Sequence, residues 1–166
     1  MKDIIDRAIE KMIALSDGDL HDIEHFIKVH AYARLIGRSE LADSVTQTVL
    51  ELAAITHDIA CPLCREKYGS ARGDMQELEG MPLCREFLAE FELSDELKER
   101  VVWLVGHHHS TDRVSLPEHR ILLEADYLVN ARESAYPREK LRGERDLIFR
   151  TKSGRALFDA LYGRMI

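Results

Sequence analysis

Cysteine is nearly absent: three residues in 166, at positions 61, 64 and 84. An odd and small number argues against a disulfide framework as the device that holds the chain together. Proline is equally sparse, at 62, 82, 117 and 137 only, and none of the four interrupts a strong helical pattern. No apolar stretch is long enough to span a bilayer. There is no internal repeat, no low-complexity tract and no linker-like segment, and no convincing alternation of the kind a half-buried strand requires. Positive charge is in deficit. Twenty-three Lys and Arg face thirty Asp and Glu, a net charge of −7 with a pI of about 5.6. That balance argues against a broad nucleic-acid or anionic-membrane surface, and leaves room for a small anionic ligand met by local basic residues. The opening residues, Met1 to Asp6, read as a helix start rather than a signal peptide. A cytoplasmic location is therefore expected, with no membrane partner.

What the chain does have is helical periodicity. Forty-five per cent of its residues are hydrophobic, an ordinary share for a globular protein. A length of 166 residues suits one domain spanning 1–166, with enough chain to bury a core. The pattern predicts an all-α fold with helices near 2–15, 20–37, 40–60, 82–91, 95–109, 117–134, 137–149 and 153–163. Ser39 and Ser94 are expected N-caps, and Pro82, Pro117 and Pro137 are expected in first turns. The segment 61–80, with Gly69, Gly73 and Gly80, is expected to be a long irregular loop that overhangs whatever precedes it.

What precedes it is the pair His57-Asp58, at the end of the run Val49 to Ala60, which is apolar on almost every side apart from Glu51. A helix apolar all round is a buried helix. Burying an imidazole beside a carboxylate is costly unless each finds a partner, and a cation satisfies both at once. Other ligand types occupy similar positions. Asp126 shares a face with Leu122, Leu123 and Val129 in a second apolar run, and His25 sits on an amphipathic segment. Periodicity alone does not separate His25 from His30, which shares a face with Phe26 and Ile27. His108, within the triplet His107-His108-His109, falls over Val101, Leu104 and Val105 and points inward by spacing. Cys61-Pro62-Leu63-Cys64 has redox or zinc spacing. It lacks a second cysteine pair and a βαβ context, so both thiols are expected to be small filler.

The ordered set His25-Phe26-Ile27-Lys28-Val29, then His57-Asp58, then Ala125-Asp126-Tyr127-Leu128 resembles the HD superfamily of metal-dependent phosphohydrolases. The resemblance covers roughly residues 19 to 133. Lys67-Tyr68-Gly69-Ser70, Glu77-Leu78-Glu79-Gly80 and Gly106-His107-His108-His109-Ser110 are similar to a subgroup of small single-domain members. The resemblance implies an all-α helical bundle and selects His25 over His30. Its metal ligands would be His25, His57, Asp58 and Asp126, holding a divalent ion such as Fe, Mn, Zn, Ni, Co or Mg. A second metal is implied at Glu79 and His108, with His107 or His109 as substitutes.

The activity implied is hydrolysis of a nucleotide or other small phosphorylated metabolite by a metal-activated water. Asp58 would orient that water. Lys67 would stabilise phosphoryl charge, with Lys28, Lys67 and Arg72 binding the substrate. Where some members carry a glutamate that assists water activation, this chain has Cys61. That departure keeps a non-catalytic metal- and nucleotide-binding sensor as the alternative, beside a di-iron oxygenase of the same fold.

Overall fold

The computed structural model of the protein describes residues 3–111, 114 and 116–166. Among these residues there are nine α-helices and no strand. They are α1 (Ile4–Leu15), α2 (Leu20–Glu40), α3 (Ser44–Thr56), α4 (Cys61–Tyr68), α5 (Gly73–Leu88), α6 (Asp95–Val105), α7 (Pro117–Glu133), α8 (Arg138–Ile148) and α9 (Lys152–Tyr162). The all-α expectation holds. Helices α2, α3 and α7 pack on one another at the centre, α6 packs against α3, and α5 packs against α6.

Local chemistry sets the helix starts. Asp19, Asp43 and Ser94 cap α2, α3 and α6, each side chain accepting from a backbone N–H three residues on. Ser94 is thus the cap the sequence predicts. Ser39 is not: it lies inside α2, which runs three residues past its expected end, and Asp43 takes the capping role. Pro117 occupies the first turn of α7, where its missing N–H costs nothing. Pro137 stands one residue earlier relative to its helix, at the N-cap of α8.

The largest departure is residues 61–80, expected as a loop. They carry α4 and the first half of α5, with only residues 69–72 between them. Pro62 lies in the first turn of α4. Gly69 ends that helix with φ of +71°, a left-handed backbone that glycine adopts without strain. Helix α5 then runs through Gly80 and Pro82, two residues that normally argue against a helix interior. Gly80 is tolerated because it is where α5 meets α6. A Cβ there would stand 3.0 Å from Val105 Cγ1. Packing against α6 thus overrides a weak local preference.

The buried face of α3 explains why it sits at the centre. Every residue from Val49 to Thr56 is buried, and α7 is buried from Glu118 to Val129 except Arg120. Close approach of α2 to α3 depends on Gly37, where a Cβ would stand 2.7 Å from Leu50 Cδ2. Phe26, Val29, Ala33 and Ile36 give α2 its buried stripe, and His25 lies at the upstream end of that stripe. Two buried carboxylates in the core are well paired. Glu51 receives hydrogen bonds from His30 and Gln47. Glu124 accepts the amides of Arg150 and Thr151 and the Thr151 hydroxyl, tying the start of α9 to α7.

Candidate metal centre

Three helices deliver one ligand set. His25 comes from α2, His57 and Asp58 from the end of α3, and Asp126 from α7. His25 Nε2 lies 3.2 Å from His57 Nε2 and 3.3 Å from both Asp58 Oδ2 and Asp126 Oδ1. His57 Nε2 lies 3.5 Å from the same two oxygens. Donor atoms about 3.3 Å apart enclose a point about 2.0–2.1 Å from each, the bond length of nitrogen and oxygen ligands on a small divalent ion.

The hydrogen bonds of the histidines say what that point can bind. His57 closes α3, and its Nδ1 donates to Ala54 O at 2.9 Å. His108 follows α6, and its Nδ1 donates to Val105 O at 2.7 Å. A carbonyl can only accept, so both rings are protonated at Nδ1 and aim an Nε2 lone pair beyond their helix ends. His25 donates from Nδ1 to Glu133 Oε2 at 2.8 Å. With His25 neutral, three imidazole lone pairs and two carboxylates thus converge with no donor among them. His108 Nε2 is buried and makes no hydrogen bond, although Asp58 Oδ1 lies 3.4 Å away. An acceptor-only cluster in the interior calls for a cation.

Metal-free electrostatics point the same way. Burial works against charge on His25, but the Asp126, Asp58 and Glu133 carboxylates outweigh it and push its pKa up to about 9. Such a set of carboxylates around one imidazole favours positive charge at this point. Burial also works against charge on Asp58 and Asp126, yet the surrounding histidines hold both well below the ordinary carboxylate range.

A second group adjoins the first. Asp58, His108 and His109 offer donor atoms within 4.8 Å of one another, as do His25, His57 and Asp58. Asp58 belongs to both. His109 donates from Nε2 to Gln76 Oε1 at 3.3 Å, and although the residue is exposed, desolvation of its ring and the neighbouring His108 lower its pKa to about 4.

Other expected site residues lie elsewhere. Glu79 is engaged by Lys67 Nζ at 2.6 Å and by the Tyr68 hydroxyl, and it joins neither group. His107 turns its Nδ1 to Trp103 O at 2.7 Å and stacks on the indole, away from the cluster; of the two expected substitutes, it is His109 that stands beside His108. Arg72 is exposed and paired with Asp74. Lys28 pairs with Glu24 and Glu133.

A cleft of about 360 Å³ opens over the second group, lined by Gln76, His108, His109, Asp126, Asn130 and Tyr136 among others. That is room for a small metabolite. None of the described residues lining it is a lysine or arginine, so Lys28, Lys67 and Arg72 do not border it.

Two contributors escaped the sequence reading. Asn130 donates to both oxygens of Asp126, at 2.9 and 2.8 Å, and Glu133 holds His25. Their spacing places them on one face: Asp126, Asn130 and Glu133 are i, i+4, i+7 along α7, although nothing in that spacing names His25 as the partner of Glu133.

Comparison with known proteins agrees with this geometry. The HD domain family matches residues 22–131, and the chain belongs to that family. The fold is similar to that of a protein from an uncultured Thermotogales bacterium described as a predicted HD superfamily hydrolase. The TM-score is 0.66 at 21% identity, covering 97% of this chain and 84% of that one. No curated protein sequence matches.

Proposed function

We propose that the protein is a metal-dependent phosphohydrolase acting on a small phosphorylated metabolite, the nucleotide class included. The observation that carries this reading is Asp58, set between two histidine groups, three of whose imidazoles, His25, His57 and His108, turn Nε2 inward. A divalent ion held there supplies Lewis acidity toward a phosphoryl oxygen and lowers the pKa of a water. His25, His57, Asp58 and Asp126 hold the primary site, and His108 and His109 hold the second with Asp58 shared. Asn130 keeps the Asp126 carboxylate oriented. With no described cation in the cleft wall, the substrate's negative charge is met at the metal groups. Its remaining atoms face Tyr136, Gln76 and Leu123.

One observation favours a second reading, a metal- and nucleotide-binding sensor without turnover. Cys61 is buried, and burial together with Asp58 drives its thiol far above its ordinary pKa. It stays protonated near neutral pH and cannot accept a proton from water there. The test is a panel of phosphorylated metabolites and an aryl phosphate with Mn²⁺-loaded protein. Turnover that disappears in His57→Ala supports the hydrolase. Nucleotide binding without turnover, at full metal content, replaces it with the sensor. An iron-dependent absorbance band that responds to oxygen replaces it with the oxygenase.

A further inference from the structure

The three inward-facing histidines are not anchored alike. His57 and His108 each donate Nδ1 to a neutral backbone carbonyl, three residues back in their own chain segment. His25 alone donates to a carboxylate, Glu133, which comes from the far end of α7, 108 residues away in sequence. Glu133 is itself held from its other oxygen by Lys28 Nζ at 3.3 Å, and Lys28 also pairs with Glu24 at 3.1 Å. Only 16% of the Glu133 side chain is exposed, so its charge is not dissolved by water. Both Lys28 and Glu133 border a cavity of about 540 Å³ floored by Leu128 and Val129, distinct in lining from the cleft over the metal groups.

A carboxylate behind an imidazole fixes which nitrogen is free, locks the ring plane and increases electron density at the opposite nitrogen. A carbonyl does the first two and little of the third. We propose that Glu133 is a positioning residue for the metal centre. It holds His25 as an Nε2 donor and makes that donor stronger than His57 or His108. Lys28 acts on Glu133 by anchoring its second oxygen, rather than on substrate. This inference rests on the metal-dependent reading above and adds to it a residue that touches neither metal nor substrate.

The experiment titrates Co²⁺ into metal-free protein, follows the visible absorption band, and compares wild type with Glu133→Ala, Glu133→Gln and His57→Ala. Glu133→Ala is expected to weaken Co²⁺ binding by roughly 10- to 100-fold and to alter the band. Glu133→Gln keeps an acceptor oxygen but not the charge, and is expected between the two. Wild-type affinity and band shape in Glu133→Ala overturn the proposal, as does a Glu133→Gln protein no better than Glu133→Ala. Should Glu133→Ala fail to fold, the isosteric Gln variant still decides: unchanged affinity and band shape would overturn the role. His57→Ala separates the two levels of the argument. If it binds Co²⁺ like wild type, the metal centre itself is wrong. If it loses Co²⁺ while Glu133→Ala does not, only the role of Glu133 falls.

Discussion

Asp58 presents one oxygen to His108 and the other to His25: Oδ1 lies 3.4 Å from His108 Nε2, and Oδ2 lies 3.3 Å from His25 Nε2. One carboxylate therefore serves both ligand groups, and the two groups should not lose metal symmetrically. Asp58→Ala is expected to abolish both metal equivalents. His108→Ala is expected to bring two equivalents down to one. Elemental analysis of protein loaded with excess Mn²⁺ or Fe²⁺ checks this. Two equivalents retained in His108→Ala would show that the second group is drawn wrongly.

Lys67 gives a contrary expectation to the one its sequence position suggests. Its ammonium is committed to Glu79, and it does not border the cleft. Removing a charged donor from a reacting phosphoryl group costs about 10²- to 10³-fold in kcat. Removing an exposed ion pair costs little. Lys67→Ala should keep its metal and change kcat/KM on the best substrate by less than about threefold. A loss of a hundredfold or more would return Lys67 to the phosphate.

The cysteines should prove inert. Cys61 and Cys64 are buried, neither belongs to a ligand group, and burial raises both thiols above their ordinary pKa. A thiol that stays protonated is a poor nucleophile and a poor ligand. Cys61→Ser/Cys64→Ser should therefore retain its metal, its fold and at least about half its activity, and the native thiols should react slowly with a disulfide reagent. Rapid labelling, or metal lost in the double variant, would count against this.

The side chains that converge were legible in part because they are polar residues at apolar helical positions, although periodicity alone did not separate His25 from His30. Asp126 among Leu122, Leu123 and Val129 is the plainest case. The fold class followed from the same periodicity. What stayed hidden depended on contacts between segments. The first half of α5 lies outside the helix predicted at 82–91 because Gly80 and Pro82 weaken the local signal, and its packing on Val105 is not written in its own sequence. The choice between His107 and His109 stays open in the sequence because three consecutive histidines at a helix end point in three directions, and Trp103 decides which one turns away. Glu79, expected as a ligand, meets two donors from the end of α4, Lys67 and Tyr68, which local spacing does not report. Glu133 pairs with a residue 108 positions distant, which no local pattern reports.

The buried pair of His30 and Glu51 predicts how the fold responds to acid. Burial alone would raise the Glu51 pKa, but hydrogen bonds from His30 and Gln47 outweigh it and bring the carboxyl below its ordinary value of 4.5. A depressed carboxylate contributes stability that is fully present above its unfolded pKa. That stability is lost as pH falls through the lower folded-state value. The contribution should therefore be whole at neutral pH and fade only below about pH 4.5. Hydrogen bonds to a buried charge are worth about 1.5–3 kcal/mol. For a domain of this size that corresponds to roughly 3–10 °C in Tm. Glu51→Gln should melt lower than wild type at pH 7 by about that amount. As wild-type Glu51 becomes protonated below pH 4.5, the gap should narrow. Thermal melts of metal-free protein across this range measure the difference directly. A gap that stays constant from pH 7 to pH 3 would mean that the Glu51 charge contributes nothing to joining α2 and α3.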